Sequence, residues 1–365
     1  MRNLLLSRLK EVKLLTLDNA KNSRLFKNLL NFGMSVTLAV IFLYVAFYNV
    51  NFGDVLSVVS RASIFWIIIF IVAVFLGHII RALRWKVILN SIKPDVSFKH
   101  LFGALMVGYG VNCVTPKLGE VTRAILIGKW ENLSRSSMFG TVIVERVIDI
   151  ISIGFAVLLS AYVWRESLYE NFPWLESTLY IAGGMMLVIL LMIYFTVTYR
   201  DKFYGFIIRL FSKISGKLGE SVAHIFEMLT EGFSSLKGTR NYILTILLTL
   251  CILIVYAFTS YIGFFMLYMN EVSTVTFEMG WVLMSIAAIG VIIPTPGATG
   301  SYHTLSKSTL VLLFGFGEVI SVAYAFLTHI ISYIIFIITA LIVYFVLNKQ
   351  HESLIKVVKS DPDNL

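Results

Sequence analysis

From residue 29 to residue 347 the sequence is a succession of apolar, charge-poor runs, each close to the roughly 20 residues that a helix needs to cross the ~30 Å hydrocarbon core of a bilayer. Such runs occupy residues 29–49, 64–85, 138–163, 178–198, 241–268 and 319–347. None alternates apolar and polar residues at period two, as a transmembrane barrel would. A polar backbone cannot face lipid unpaired, so the expected fold is an all-α integral membrane protein. Composition agrees: hydrophobic residues make up 58% of the chain and charged residues 14%, far from the balance of a soluble domain.

The net charge of +9 excludes an acidic protein but does not point to nucleic acid. The Lys and Arg residues sit in short stretches beside the apolar runs, where anionic lipid headgroups account for them. Cys113 and Cys251 lie inside apolar segments without CxxC spacing, so they read as packing residues, with no metal site or disulfide framework indicated. No cofactor is indicated. Basic residues concentrate in 1–28, in 81–99, in 199–240 and in the tail 348–365, whereas 164–177 and 270–278 are acidic or neutral. The positive-inside bias then predicts six spans with both termini cytoplasmic. Residues 203–236 read as a cytoplasmic amphipathic segment, its apolar stripe including Phe203, Phe206, Leu210 and Phe211, suited to the membrane surface.

Two further apolar stretches, 101–128 and 277–316, are interrupted near their middles by GVNCVTPKLGE and GVIIPTPGATG. A straight helix through either is disfavoured, and a re-entrant hairpin of two half-helices is expected, with protein or a wet cavity around the break. Thr115-Pro116 aligns with Thr295-Pro296, and Gly110-Val111 with Gly290-Val291, at one constant offset. The chain thus divides into two repeats, 29–163 and 164–347, each built as span, span, hairpin, span. An odd number of crossings per half makes the repeat inverted, which points to a transporter with its site near the breaks. A half-helix that starts inside the membrane presents unpaired N–H groups and its positive dipole end to anions. Pro116 and Pro296 suit such starts, and Gly297 permits close backbone approach.

Charges inside the spans are the second signal. Glu145, Arg146 and Asp149 interrupt 138–163, and ionisable groups at that depth face the interior and pair. Glu145 and Asp149 place two carboxylates on one helix face, calling for Arg123 or a substrate ammonium opposite. Glu120 and Arg123 follow the first break. Arg81, Arg84 and Trp85 end the second run, where snorkelling to the interface and headgroup binding explain them equally well. His303 and Lys307 lie in the second hairpin. No GxSxG, HExxH, GxxxxGK[ST] or GxGxxG motif occurs in the needed context, so no enzyme is expected.

The RALRW stretch at 81–85, VTPKLGEVTR at 114–123, VERVID at 144–149 and PTPGATG at 294–300 together resemble the flippase-like family of the lysylphosphatidylglycerol synthase transmembrane region. The resemblance covers about residues 29–347. It implies a bacterial or archaeal inner-membrane protein that moves a polar-headgroup phospholipid between leaflets, with membrane lipids, anionic or zwitterionic, as its partners. By analogy the substrate-binding residues are Arg81, Arg84, Pro116, Gly119, Glu120, Arg123, Glu145, Arg146, Asp149, Pro296 and Gly297, and Thr115, Thr295 and His303 of the two interrupted stretches join them as candidates. The chain ends about 18 residues after the last span, so the family's soluble aminoacyl-transferase activity is not expected. An ion-coupled transporter of a small anion, or an intramembrane enzyme acting on a lipid-linked substrate, is the alternative.

Overall fold

A computed structural model describes residue 30, residues 32–164, part of 177–191 and residues 238–347. The N-terminal segment 1–28, the amphipathic segment 203–236 and the tail 348–365 lie outside the described residues. Of the expected span 178–198, only some positions up to Leu191 are described, all of them helical.

Every regular element among the described residues is helical. Helix α1 (Phe32–Phe47) turns by 78° into α2 (Phe52–Ser60). The corner is made by Asn49 in the left-handed region and by Asn51, whose side chain caps α2 by accepting the Gly53 N–H at 2.7 Å. This stretch falls between the apolar runs 29–49 and 64–85. It folds as helix because that cap, Asp54 in the first turn and Val55, buried against the last helix, act together.

Helix α3 (Ile64–Leu89) continues four residues beyond the apolar run, carrying Arg81 and Arg84 into the bundle. Helices α4 (Phe98–Val114) and α5 (Leu118–Glu131) are the limbs of the first hairpin, and α6 (Arg135–Val163) follows. Helix α7 (Thr239–Met266) leads through a single turn at Met269–Val272 into α8 (Phe277–Ile292) and α9 (Ser301–Ser308), the limbs of the second, and α10 (Glu318–Leu347) closes the described chain. Among the described residues three helices, α3, α7 and α10, are long and apolar enough to cross a membrane, and the bent α1–α2 pair makes up to a fourth. α6 has the length but carries Glu145, Arg146 and Asp149 in its middle.

The packing is reciprocal. α3 lies along α7; α5 packs on α6 and α9 on α10; α4 packs on α10 and α8 on α6. The largest core cluster, including Phe70, Met106, Phe264 and Tyr324, fills the space between α3, α4, α7 and α10. Outer faces carry stripes such as Ile64, Ile68, Val72, Leu76, Ile79 and Leu83 on α3, and Ile334, Ile338, Leu341 and Phe345 on α10, all exposed. Contiguous apolar faces of this extent need lipid as solvent.

Away from the breaks, the buried Glu131 carboxylate at the end of α5 ties the hairpin to the α3–α4 loop. It meets Lys93 Nζ at 2.7 Å and His100 Nδ1 at 2.6 Å, and accepts the Ser97 N–H at 3.0 Å. Burial alone would raise its pKa, but the hydrogen bonds from Lys93, His100 and Ser97 outweigh burial and hold it below the usual carboxylate range. A depressed carboxylate contributes stability that is complete above its unfolded pKa, about 4.3, and is lost as pH falls through the lower folded value. The thermal midpoint in detergent should therefore drop as pH falls below about 4, and Glu131→Gln should flatten the curve in that window.

Candidate functional site: two breaks and a buried charge cluster

The first break is three residues long. Thr115 is extended, Lys117 is left-handed with φ 65°, and α5 begins at Leu118. The limbs touch at glycine: a Cβ on Gly108 would lie 2.9 Å from the Gly119 carbonyl oxygen, and one on Gly119 would strike that of Gly108. Asn112 closes the break, its Oδ1 accepting the Gly119 N–H at 2.7 Å while its Nδ2 donates to Glu120 at 3.3 Å. In the second break, a Cβ on Gly290 would lie 2.9 Å from the Ser301 carbonyl oxygen, and Ser301 Oγ donates to the Gly290 carbonyl at 2.7 Å and lies 3.1 Å from Thr295 Oγ1. The facing pairs, Gly108–Gly119 and Gly290–Ser301, are related by an offset of 182, not the 180 that aligns the Thr-Pro pairs. The second break, with η turn Pro296–Ala298 inside it, is simply longer.

One expectation needs correction here. Neither Pro116 nor Pro296 opens a half-helix: Pro116 precedes α5 by two residues, and Pro296 opens that short 3-10 turn. At each start one N–H is capped by a side chain, Gly119 by Asn112 and Gly300 by His303.

Charge gathers instead behind the first break. Glu145 on α6 accepts from Arg81 Nε at 2.8 Å, Arg84 Nη2 at 3.3 Å and Arg123 Nη1 at 2.6 Å. Asp149, one turn on, pairs with Arg81 and with Arg84 at 2.5 Å. Arg84 also donates to Thr249 of α7 at 3.2 Å, and the Arg123 guanidinium lies 5.0 Å over the Trp85 ring, whose Nε1 donates to Thr141. Arg146 pairs with Glu120 and stands 3.6 Å from Asp149. Snorkelling is thereby excluded for Arg81, Arg84 and Trp85, which are buried. Arginine also fills the place held for a substrate ammonium. Four guanidinium groups, Arg81, Arg84, Arg123 and Arg146, face three carboxylates, Glu120, Glu145 and Asp149, leaving one positive charge in excess.

Exposure within the cluster is graded. Side-chain exposure is 0% at Glu145 and 1% at Arg84, 11% at Asp149, 20% at Glu120 and 38% at Arg146. The cluster opens at the Arg146–Glu120 pair and is sealed at Glu145. Buried Arg84 Nε and Arg123 Nε and Nη2 have no partner among the described residues, so donor capacity is left over.

The remaining sequence candidates form a second locus. Thr295, Pro296, Gly297 and His303 surround the second break, not the charge cluster. Tyr333 of α10 joins the two loci, packing against Gly297 while its hydroxyl donates to the Cys113 carbonyl at the end of α4. Cys113 is a packing residue as expected, but Cys251 is exposed on the outer face of α7. Sequence reasoning passed over Asn112, Thr249, His329 and Tyr333. Polar Asn112 just before the break, and His329 and Tyr333 one turn apart in an apolar run, were the available signals.

The matching family is described as the lysylphosphatidylglycerol synthase TM region, and the match runs over residues 33–340. The chain belongs to this family. A UPF0104 membrane protein of Pyrococcus horikoshii is 25% identical over 82% of this chain and 91% of its own length. UPF0104 proteins of Methanothermobacter thermautotrophicus and Methanocaldococcus jannaschii are each 28% identical over about a third of the chain, and those matches span only 38% and 36% of the relatives' lengths. No solved structure matches significantly. Family membership makes the chain a multi-pass membrane protein and leaves its cargo to be argued from the site.

Proposed function

We propose that this protein is a lipid transporter that moves a polar-headgroup phospholipid, or a related lipid-linked substrate, between the leaflets of a bacterial or archaeal cytoplasmic membrane. The observation that carries this reading is the buried cluster beside the first break, one charge positive and open only at Arg146–Glu120. A headgroup phosphate takes Arg146 from Glu120, and Glu120 is freed for a cationic or hydroxyl-bearing headgroup. Such an exchange costs little because one ion pair replaces another. Arg81, Arg84, Glu145 and Asp149 act as the fixed wall behind it. The family's description names a lipid that carries both a phosphate and a lysyl ammonium, and the Arg146–Glu120 pair offers a partner to each.

The same reading takes the architecture as six spans and two hairpins entering from opposite faces in an inverted repeat, with both termini cytoplasmic. Its support is the reciprocal packing of hairpin limbs on α6 and α10 and the equal limb spacing at Gly108–Gly119 and Gly290–Ser301. A second reading, transport of a small anion, draws on Arg123 Nε and Nη2, which are buried and without a partner among the described residues.

The test is leaflet exchange of tail-labelled phosphatidylglycerol in phosphatidylcholine vesicles. Vesicles with the full chain should exchange the probe faster than empty ones, and Arg146→Gln should slow exchange about tenfold, or ~1.4 kcal/mol in barrier. Because Arg146 is partly exposed, its replacement should shift stability by no more than about 1 kcal/mol. Exchange no faster than in empty vesicles for every headgroup tried would refute transport.

A further inference from the structure

Two histidines that lipid transport as proposed leaves unused meet at the second break. His303 of α9 and His329 of α10 have ring centroids 4.6 Å apart, His303 buried and His329 half-buried. Each also holds the backbone of the break. The Gly300 N–H donates to His303 Nδ1 at 3.3 Å, and His329 Nε2 lies 2.9 Å from the Gly297 carbonyl, to which it donates. Those two glycines adopt left-handed φ, 86° and 56°, and are enclosed by the α1 backbone at Ala39 and by Tyr333. The two imidazoles therefore hold a left-handed backbone that glycine adopts without a Cβ penalty.

The chemistry of the contact is asymmetric with respect to a proton. A nitrogen that accepts an N–H carries no proton of its own, and imidazolium has two donors and no acceptor. Adding a proton to His303 Nδ1 turns the acceptor into a donor, so the Gly300 N–H must leave. Proton binding at His303 and the closed break exclude each other.

The surroundings offer nothing that neutralises an added charge in place. Between residues 32 and 47, α1 contributes no ionisable side chain but Tyr44, and α8 carries only Glu278, at its far end. The end of α4 contributes Cys113. α10 adds Tyr333 and Tyr324, and α9 adds Tyr302 and Lys307. Lys307 is engaged with Glu318 at 2.9 Å and the Tyr48 carbonyl at 3.3 Å. Among the described residues no carboxylate pairs with either histidine, so an imidazolium here requires water, and water requires the break to open.

We infer that the His303–His329 pair is a proton-binding site whose occupancy opens the second break, making the proton the coupling ion for headgroup passage. The coupling rests on the transport reading; the proton site does not. Its test uses the purified full chain in detergent, with hydrogen exchange followed at the Gly300 amide. If opening exposes a histidine of ordinary pKa near 6.5, exchange should rise about tenfold between about pH 7.5 and about pH 5.5, beyond the intrinsic pH dependence of amides. In His303→Gln the side-chain oxygen still accepts the Gly300 N–H but does not titrate, and the excess should vanish. Wild-type exchange that follows intrinsic chemistry alone, or an excess that survives in His303→Gln, overturns the proton site. If His303→Gln fails to fold, the same measurement is made on His303→Asn, where loss of the excess sustains the site and its persistence overturns it.

The vesicle assay then judges coupling. An imposed pH gradient should accelerate phosphatidylglycerol exchange several-fold in wild type and leave His303→Gln unchanged. Exchange that is present but indifferent to the gradient overturns coupling and leaves the transporter standing. Absence of any exchange overturns transport, and coupling with it, while the amide measurement still decides the proton site.

Discussion

Glu145→Gln should be the most damaging single substitution in the described structure. Glutamine keeps the size of the side chain but removes the one carboxylate that binds Arg81, Arg84 and Arg123 together. Arg81 and Arg84 then rely on Asp149 and Arg123 loses the carboxylate it is paired with, the excess positive charge being doubled. Removing one partner from a buried ion network costs about 3–5 kcal/mol, because the charges left behind stay dehydrated. The expected result is a protein that melts well below wild type in detergent, or is recovered only as aggregate on size exclusion. Glu120→Gln is the informative contrast. Its carboxylate is at the open end of the cluster, paired to a partly exposed arginine, so stability should change by about 1 kcal/mol or less while leaflet exchange slows. Equal melting of Glu145→Gln and wild type would mean that the cluster is not the buried unit its geometry describes.

Gly119→Ala should be nearly as severe, for a steric reason. The added methyl would meet the Gly108 carbonyl oxygen and, at 2.7 Å, the side-chain amide of Asn112. A backbone carbonyl cannot rotate away as a side chain can, so the limbs of the hairpin must separate. Overpacking of this kind costs about 1–3 kcal/mol, and losing the Gly119 N–H to Asn112 bond adds about 1 kcal/mol. Lipid exchange should fall to the level of empty vesicles, since the break that carries Glu120 and Arg123 is displaced. Gly33→Ala supplies the control. Nothing lies within 4 Å of a Cβ there, so it should be neutral to within about 0.5 kcal/mol. Comparable loss in both variants would detach the effect from the limb contact.

The helices were legible because hydrophobic length is a local property. Runs at 64–85, 241–268 and 319–347 correspond to α3, α7 and α10 to within a few residues, since bilayer thickness dictates length whatever the packing. The charges on α6 were legible too, as residues out of place in an apolar run. Their partners were not. Arg81 and Arg84 lie 61 to 68 residues from the carboxylates that bind them, and at the end of an apolar run an arginine that snorkels looks the same as one that is buried. Proline misled for a related reason. Its preference for the first turn is statistical, whereas the start of α5 was decided by Lys117 in the left-handed region and by the reach of Asn112. Repeat alignment by Thr-Pro was two residues out of step with the facing glycines, because sequence identity marks the turn and packing marks the limbs. His303 looked isolated in the sequence. Its neighbour His329 belongs to a different helix, and only tertiary packing brings the two rings together.

The account stands on a headgroup meeting the charge cluster at its open end, from the side of the lipid. Cryo-electron microscopy of the full chain in nanodiscs of phosphatidylglycerol addresses that contact directly. The expected result is density for a lipid phosphate within hydrogen-bonding distance of Arg146, with Glu120 displaced from it and the acyl tails running out between helices. Lipid density confined to the outer faces of α3, α7 and α10, with Arg146 still paired to Glu120 and the cluster closed to the bilayer, would contradict it.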